Sequence, residues 1–243
     1  MQNSVHFVLQ GKGGVGKSHV AVNVAQYIAN LPNSELICFD IDQVNTTFAH
    51  YKALNVSKVN VVGDSNMIDP KKFDSLIEKI LTTEGNFVVD TGSNTFLNLL
   101  SYIVENDLIN FLKDSGYTTY FHTVIGGGAE FYDTSAGFDS IASATNTPIV
   151  LWANEYFGQL KSEDGVDLID SKVFKKHKEK LAGLVLLHAR NKSTFGADIL
   201  KMNTKRQTLK EVMNNSEFSI MEKQRIKTVF NDVFVQLDKI DWQ

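Results

Sequence analysis

Residues 11–18, GKGGVGKS, constrain the fold of this chain more than any other part of its sequence. They follow the apolar run VHFVL at residues 5–9 and fit the pattern G-x-x-x-x-G-K-[ST]. Glycines let the backbone curl so that its N–H groups face a phosphate, and a helix that follows adds the positive end of its dipole. The stretch therefore predicts a strand, a phosphate-binding loop and a helix, in that order.

Individual residues of this loop have predicted roles in binding a nucleotide. Lys17 is expected to reach the β- and γ-phosphates, and the Ser18 hydroxyl is expected to ligate Mg²⁺. A chance glycine-rich turn is the alternative, but a full match between a strand and a helix argues against it. The other predicted nucleotide contacts here are Gly11, Gly13, Gly14, Val15, Gly16 and His19.

The loop contains a second lysine, Lys12, although one lysine is sufficient for a phosphate loop. A side chain that faced its own nucleotide would duplicate Lys17. One that points outward can reach a nucleotide on a second subunit and neutralise charge on the transferring phosphate, as an arginine finger does. A solvated surface lysine is the alternative. We expect Lys12 and Lys17 to be catalytic.

Apolar runs alternate with helical periodicity along the whole chain. Strands are predicted at residues 5–9, 35–42, 59–63, 85–92, 117–125, 148–154 and 181–189. Helices are predicted at residues 17–31, 71–83, 95–116 with a break near 106–107, 129–145, 167–180, 205–214 and 217–240. This alternation is typical of a mostly parallel sheet with helices on both faces. We expect a three-layer α/β P-loop NTPase forming one domain over residues 1–243.

Polar residues end three of the predicted strands, where ligands bind in parallel sheets. Asp90 is the expected Mg²⁺ ligand at the end of an apolar strand. Asp40 and Asp42 lie two residues apart on a strand, so their carboxylates point the same way and would repel each other without a cation. We assign Asp40 to the water shell of the metal and Asp42 to orienting the water that attacks the γ-phosphate. Plain turn or strand-cap roles for Asp90 and Asp42 are the alternatives.

Composition excludes several classes of protein. Hydrophobic residues are 43% and charged residues 21% of the chain, as in ordinary globular proteins, and the net charge of -4 argues against non-specific nucleic-acid binding by the body of the protein. Cys38 is the only cysteine, which excludes an internal disulfide and an iron–sulfur cluster. No apolar run reaches the length of a membrane span and no signal peptide is visible, so we expect a cytoplasmic protein.

The motifs together resemble those of the ParA/MinD ATPases. The stretch KGGVGKS at 12–18 is similar to their deviant Walker A motif, DID at 40–42 to their second motif, and VVDTG at 88–92 to their Walker B region. The resemblance implies ATP, Mg²⁺, slow hydrolysis and a nucleotide-sandwich homodimer in which Lys12 acts across the interface. Asn154 is similar to the family asparagine that contacts adenine, and the absence of Asn-Lys-x-Asp favours ATP over GTP.

A second resemblance extends over nearly the whole chain. The runs HFVLQGKGGVGKS, FAHYKALNV, HTVIGGG and SIMEKQRIK, with W-x-N-x-Y/F-x-G at 152–158, are similar to the TraL family of conjugal-transfer proteins of IncP-type plasmids. This implies a protein partner in a conjugation apparatus. Many ParA/MinD proteins have Pro-Gln after the second aspartate where this chain has Gln43-Val44, which puts the hydrolysis rate in question.

Other functions stay open from the sequence. A partition-type ATPase would bind DNA, and KVFKKHKEK at 172–180 is the candidate surface, although such a run is usually a solvated helix face. A membrane switch would use the stripe Val229, Val233, Leu237 and Ile240, but core packing is the expected role, so stable membrane binding is not expected. A nucleotide-binding module with little turnover is a further alternative. His122 is expected to be a packed strand residue, and the role of the glycines at 126–128 stays open.

Overall fold

The computed structural model of this protein describes residues 3–242. Seven strands in that range form one sheet: β1 (Ser4–Val8), β2 (Leu36–Asp40), β3 (Ser57–Lys58), β4 (Asn86–Asp90), β5 (Thr118–Gly126), β6 (Ile149–Asn154) and β7 (Leu181–Leu187). The strand order is β3-β2-β4-β1-β5-β6-β7, and each pairing is parallel. The carboxyl ends of all seven strands therefore meet at one edge of the sheet.

Helices connect and cover these strands. The α-helices of the described range are α1 (Lys17–Ala29), α2 (Asp74–Leu81), α3 (Phe96–Glu105), α4 (Leu108–Asp114), α5 (Phe131–Ala144), α6 (Lys172–His177), α7 (Ala197–Thr204), α8 (Leu209–Asn214) and α9 (Ile220–Leu237). Short 3-10 turns lie at Phe48–His50, Lys52–Leu54, Pro70–Phe73, Gly128–Glu130, Glu155–Phe157, Leu168–Asp170 and Lys178–Lys180, and a π-helical turn lies at Lys192–Gly196.

Side chains alternate between the two faces of the sheet and pack against different helices. Phe7 belongs to the core on the face covered by α2 to α6, where it is buried with Leu99 and Ile141. Val8 faces the other side, in a core that includes Val24 of α1 and Val233 of α9. The predicted three-layer α/β fold is therefore confirmed.

Local chemistry sets two helix boundaries as expected. Asp69 accepts a hydrogen bond from the Lys71 N–H at 3.1 Å, and Pro70 opens the 3-10 turn that leads into α2. Asp107 adopts a left-handed conformation with φ 48°, which ends the helical path and separates α3 from α4.

The short strand predicted at 59–63 is wrong, because β3 covers only Ser57–Lys58. Val59 still donates its N–H to the Asp40 carbonyl at 3.0 Å, but the chain then leaves the sheet. Val59 and Val61 are buried in the core without pairing as a strand. Their alternation reflects side-chain burial rather than a ladder of hydrogen bonds.

The C-terminal region has three α-helices where two are predicted, because α7 precedes the expected pair. Val233, Leu237 and Ile240 are buried against the sheet, so the apolar stripe of the last helix is core, as expected. Along residues 3–242, the structure has no helix that is both long enough and apolar enough to cross a membrane.

A chain of buried hydrogen bonds crosses four strands inside the sheet. The Trp152 indole donates to His122 Nδ1 at 3.0 Å, His122 Nε2 and His6 Nδ1 lie 2.9 Å apart, and His6 Nε2 lies 2.9 Å from the Ser4 hydroxyl. Ser4 then donates to Asn86 Oδ1 at 2.7 Å. Because an indole can only donate, this geometry requires both imidazoles to be neutral, each with one donor and one acceptor nitrogen. His122 is thus a packed strand residue, as predicted.

The two buried histidines of this hydrogen-bond chain make the stability of the fold depend on pH. Burial lowers the pKa of His6 to about 3 and that of His122 well below the ordinary value of 6.5. The unfolded protein therefore binds more protons below pH 6.5, so the stabilising contribution is complete above that pH and is lost as the pH falls.

We predict that His122→Gln, whose amide can keep both hydrogen bonds, flattens this dependence. Below about pH 6, urea unfolding should show wild type losing about 1.4 kcal/mol more per pH unit than the variant. His50→Gln, at an exposed histidine, is the control and should follow wild type. If the free energies of unfolding of wild type and His122→Gln changed in parallel with pH, His6 and His122 would not be a buried neutral pair.

Candidate functional site

The phosphate loop folds over the start of α1 at the carboxyl edge of the sheet. Gly14 and Gly16 have φ values of 75° and 108°, which favour glycine. Lys17 is buried and donates a hydrogen bond to the Lys12 carbonyl at 2.8 Å, so its ammonium points back into the loop. Burial lowers the pKa of Lys17, and the charges of Asp90 and Asp42 oppose that change.

The remaining predicted contacts of the loop lie in different surroundings. Gly11 faces the Phe96 ring, which lies 3.1 Å from the position of an added Cβ, and Val15 is buried in the core. His19 lies in the first turn of α1, where its ring contacts Asn23 Nδ2 at 3.2 Å. Burial lowers the pKa of His19 to about 4. Its imidazole is therefore neutral near pH 7.

Asp90 is a fully buried carboxyl group at the end of β4, an interior strand between β2 and β1. Neither of its side-chain oxygens makes a hydrogen bond of standard geometry within residues 3–242, but the Ser18 hydroxyl lies close enough to act on the carboxyl group. Burial raises the pKa of Asp90 to about 8; the charges of Asp40 and Asp42 add to the rise, whereas Ser18 and Lys17 oppose it. A buried polar group without a partner is costly, and oxygen donors beside a phosphate loop fit Mg²⁺.

The donor set available to a metal is small. Asp40 and Asp90 are paired in register on neighbouring strands, and Ser18 lies near Asp90. No cluster of three or more His, Cys, Asp or Glu residues suited to a metal occurs in the described part of the chain. Mg²⁺ commonly keeps several waters and uses one or two carboxylates with substrate phosphates, so this set is sufficient.

Asp40 and Asp42 organise the turn that follows β2. Asp40 accepts the N–H groups of Asp42 at 3.0 Å and Ala49 at 2.9 Å, and Asp42 Oδ1 accepts those of Val44 at 2.9 Å and Asn45 at 3.0 Å. The strand ends at Asp40, so the expectation that both carboxylates lie on one strand face is wrong for Asp42. Burial raises the pKa of Asp40, and its backbone hydrogen bonds oppose that rise.

Gln43, the residue after Asp42, ties this turn to the sheet. Its side-chain amide donates to the carbonyls of Val59 at 2.9 Å and Ile41 at 3.2 Å. The amide thus holds the start of the turn against the chain leaving β3. Val44, the next residue, is exposed.

The segment after β4 lies against both Asp42 and the phosphate loop. A Cβ added to Gly92 would lie 2.5 Å from Asn94 Oδ1 and 2.7 Å from Asp42 Oδ1, and one added to Gly13 would lie 3.6 Å from Ser93 Oγ. The side-chain oxygens of Asn94 and Asp42 therefore lie so close to Gly92 that any larger residue at this position would collide with them. Sequence analysis missed Ser93 and Asn94, although both directly follow the VVDTG motif.

Lys12 is held within its own chain by the start of α5. Its ammonium lies 2.8 Å from Asp133 Oδ2 and 3.4 Å from Glu130 Oε2, with 38% of the side chain exposed. The hydrogen bond to Asp133, followed by that to Glu130, raises the pKa of Lys12. Lys12 is thus neither directed at its own loop nor free in solvent.

A third residue that sequence analysis missed, Gln10, joins α5 to the phosphate loop. It is fully buried, and its amide donates to the carbonyls of Val124 at 2.8 Å and Thr134 at 3.0 Å. Its Oε1 accepts the Lys12 N–H at 3.4 Å. A polar residue at the end of a buried strand was the signal that could have identified it.

Asn154 contacts the phosphate loop rather than lying free at the edge of the sheet. Its Nδ2 donates to the Val15 carbonyl at 3.2 Å, and its Oδ1 accepts the Tyr156 N–H at 3.1 Å. The structure therefore places Asn154 against the phosphate loop at the carboxyl edge of the sheet. Its amide has a second N–H and a second lone pair on Oδ1 that can contact a base without loss of these two bonds.

The three glycines after β5 are a site of close backbone approach. Gly128 donates its N–H to the Gln159 carbonyl at 2.9 Å, and Gly127 donates to the Asn154 carbonyl at 3.0 Å. A Cβ added to Gly127 would collide with the Gly158 carbonyl oxygen. This close fit holds the start of α5 against the segment that follows β6.

The lysine-rich run at 172–180 is largely engaged within the chain. Lys175 pairs with Asp170, and Lys176 pairs with Asp139, at 2.9 and 2.7 Å. Lys180 donates to the carbonyl oxygens of Ala142 and Thr145 at the end of α5. Lys178 lies 3.6 Å from Glu179. Most lysines of this run are therefore paired with a carboxylate, and Lys180 caps the C-terminal end of α5.

Comparison with known proteins agrees with this fold and its sequence motifs. Two proteins named TraL from Escherichia coli are 37% and 36% identical over 236 residues, covering 96% of this chain and 97% of each relative. No protein-family model matches. A chain of the MinC:MinD cell division protein complex of Aquifex aeolicus aligns with TM-score 0.56 at 14% identity, covering 99% of this chain and 97% of that one. A ParA family ATPase from Chlorobium tepidum aligns with TM-score 0.53 at 12% identity, covering 93% and 97%. The fold is that of the ParA/MinD ATPases.

We predict that Gly127→Ala destabilises the protein by about 1–3 kcal/mol, the usual cost of overpacking. The φ of Gly127 is -77°, which any residue adopts, so the cost comes from the Gly158 contact and not from backbone strain. Urea unfolding measures it, with Gly196→Ala as the control because its added Cβ meets only ordinary contacts. Equal stability of the two variants would refute the close fit.

Proposed function

This chain belongs to the TraL family, and from that premise we propose that it is an ATP-dependent dimerisation switch serving conjugative plasmid transfer. The observation that carries the proposal is the unpartnered, fully buried carboxyl group of Asp90 beside Lys17 and Ser18. Because burial raises its pKa, this group ionises at neutral pH only when a cation offsets its charge, and Mg²⁺ with a nucleotide triphosphate supplies one. The ParA/MinD fold and the complete phosphate-loop motif support the same conclusion.

In this proposal the chain's own groups hold the nucleotide. The backbone N–H groups of residues 11–18 surround the phosphates, and Lys17 exchanges its bond to the Lys12 carbonyl for a phosphate oxygen. Ser18, Asp40 and Asp90 are the oxygen donors that would hold Mg²⁺. The metal neutralises charge on the phosphates when bound.

Asp42 is the proposed group that orients the attacking water. Its Oδ1 is fixed by the N–H groups of Val44 and Asn45, which leaves Oδ2 for a water. Asp42 lies close to Gly92 and Asn94, and Ser93, which stands between these two in the sequence, lies close to Gly13 of the phosphate loop. Asp42 is therefore near the loop. A carboxylate held by two backbone donors keeps its orientation, which favours catalysis.

Dimerisation requires Lys12 to change partners. Within one chain it pairs with Asp133 and Glu130, whereas the proposed dimer needs its ammonium at the nucleotide of the second subunit. A phosphate group of higher charge can compete for the ammonium, so ATP would favour the dimer, and hydrolysis would release it. The output is proposed to be attachment to a protein of the transfer apparatus.

We predict that wild type and Asp42→Ala form dimers only with Mg-ATP, whereas Lys12→Ala stays monomeric. Light-scattering mass with and without Mg-ATP measures this, and Lys172→Ala is a matched control at an exposed lysine. One unchanged mass for every variant in both conditions would contradict the switch. The protein would then be treated as a nucleotide-binding subunit of a larger assembly.

The variant Asp133→Asn extends the light-scattering experiment, because it removes the 2.8 Å ion pair that holds Lys12 within its own chain. We expect more dimer than in wild type at the same limiting ATP concentration. Less dimer would mean that Asp133 contributes to the interface instead of restraining Lys12.

We also predict that Asp42→Ala lowers the rate of phosphate release by about 100-fold or more while nucleotide affinity changes little. Lys17→Ala, in contrast, should lose nucleotide binding itself. Phosphate release and fluorescent-nucleotide titration separate the two effects. Wild-type binding of ATP without phosphate release would instead support a nucleotide-binding module with little turnover.

A further inference from the structure

A cavity of about 650 Å³ opens at the edge of the sheet opposite the phosphate loop. It lies between α3, α4, the start of β5 and the turn that joins α5 to β6. Its volume is within the range of about 300–1,000 Å³ that small-molecule sites occupy. None of the residues assigned above to nucleotide binding lines it.

Two buried threonine hydroxyls at this cavity have no hydrogen-bond partner within the described residues. Thr119 is 5% and Thr147 1% exposed, and the Oγ1 of each is unpartnered. Both threonines line the cavity, Thr119 from β5 and Thr147 from the turn before β6. Because buried hydroxyls are nearly always hydrogen-bonded, to protein or to water, these two hydroxyls are available to a polar molecule in the cavity.

The other lining groups define the chemistry of that ligand. Lys113 is an exposed residue at the rim of the cavity, and its ammonium can bind a carboxylate. Asp107, also exposed, accepts a hydrogen bond from Asn110 Nδ2 at 2.8 Å through Oδ1, and its carboxylate disfavours a dianion such as phosphate and can accept from an ammonium group. Ile109 and Pro148 provide apolar surface. Opposite charges, hydroxyls and an apolar wall together fit a small zwitterion.

We propose that this cavity is a binding site for a small zwitterion of the amino-acid or short-peptide class. Lys113 binds the carboxylate of the ligand, Asp107 binds its ammonium, and the hydroxyls of Thr119 and Thr147 bond to its polar backbone atoms. The ligand side chain packs against Ile109. The site is independent of the proposed nucleotide switch, because it shares no residue with it.

The test uses wild-type protein without nucleotide, so its outcome is separate from that of the proposed function. The probes are each of the common amino acids, the dipeptide alanyl-leucine, and N-acetyl-leucine amide, which lacks both charges. A zwitterionic probe at up to about 10 mM should raise the unfolding temperature, because ligands of the folded state stabilise it. The blocked amide should not. No shift with any zwitterion overturns the proposal, and comparing amino acids with the dipeptide distinguishes the two sources.

Two substitutions make the test specific to the cavity. Thr147→Val should raise the unfolding temperature without ligand, because it removes a buried hydroxyl without a partner, and should weaken probe binding about tenfold. Lys113→Ala should weaken binding without that gain. Ser135→Ala is the matched control, since its hydroxyl is also buried and unpartnered but lies outside the cavity. It should gain stability and keep the full response to the probe.

Two results would overturn the proposal at this stage. Probe binding that persists unchanged in both Thr147→Val and Lys113→Ala would place the ligand elsewhere. A Thr147→Val protein that is less stable than wild type without ligand would show that the hydroxyl already has a partner, such as a permanently bound water.

Discussion

The buried carboxyl group of Asp90 is the constraint on which the rest of the candidate site depends. It lies on the interior strand β4, in register with Val8 on one side and Asp40 on the other, and it is fully buried. An ionised carboxylate in such a place costs several kcal/mol unless a cation offsets it. The charge of Lys17 acts against the raised pKa of Asp90, and burial lowers the pKa of Lys17 in turn. The phosphate loop, Lys17 and Asp90 therefore stabilise one another, and a bound cation would add the positive charge that offsets the buried carboxylate.

Direct contacts connect the phosphate loop to α5. Lys12 is bonded to Asp133 on that helix, and Gln10, the residue before the loop, is bonded to the Thr134 carbonyl. Gly127 holds the start of the same helix against Gly158 through a close backbone approach. A nucleotide that moved Lys12 would therefore change the restraints on α5 first. This makes α5 the element through which the state of the site can reach a partner surface.

Local chemistry explains which features could be predicted from the sequence. The phosphate loop, the Asp69–Pro70 cap and the break at Asp107 each depend on the backbone preferences of a few adjacent residues. Tertiary contacts could not be predicted, because the pair of Lys12 and Asp133 joins positions 121 residues apart. The apolar alternation at 59–63 was misleading, since burial and strand pairing produce the same pattern. Predictions of the site therefore named the right edge of the sheet but missed the second partner of most polar side chains.

The distribution of unpartnered polar atoms separates the centre of the molecule from its two ends. In the middle of the sheet, the hydrogen-bond chain from Trp152 to Asn86 gives a partner to each buried imidazole nitrogen. Among residues 3–242, the buried side-chain atoms that have neither a hydrogen bond of standard geometry nor an ion pair belong to Asp90, Ser135, Thr119 and Thr147. Asp90 lies at the phosphate-loop edge, and the two threonines lie at the opposite cavity. Asp90 and the two threonines are therefore the groups that the two proposed ligands would satisfy, whereas Ser135 lies at neither site.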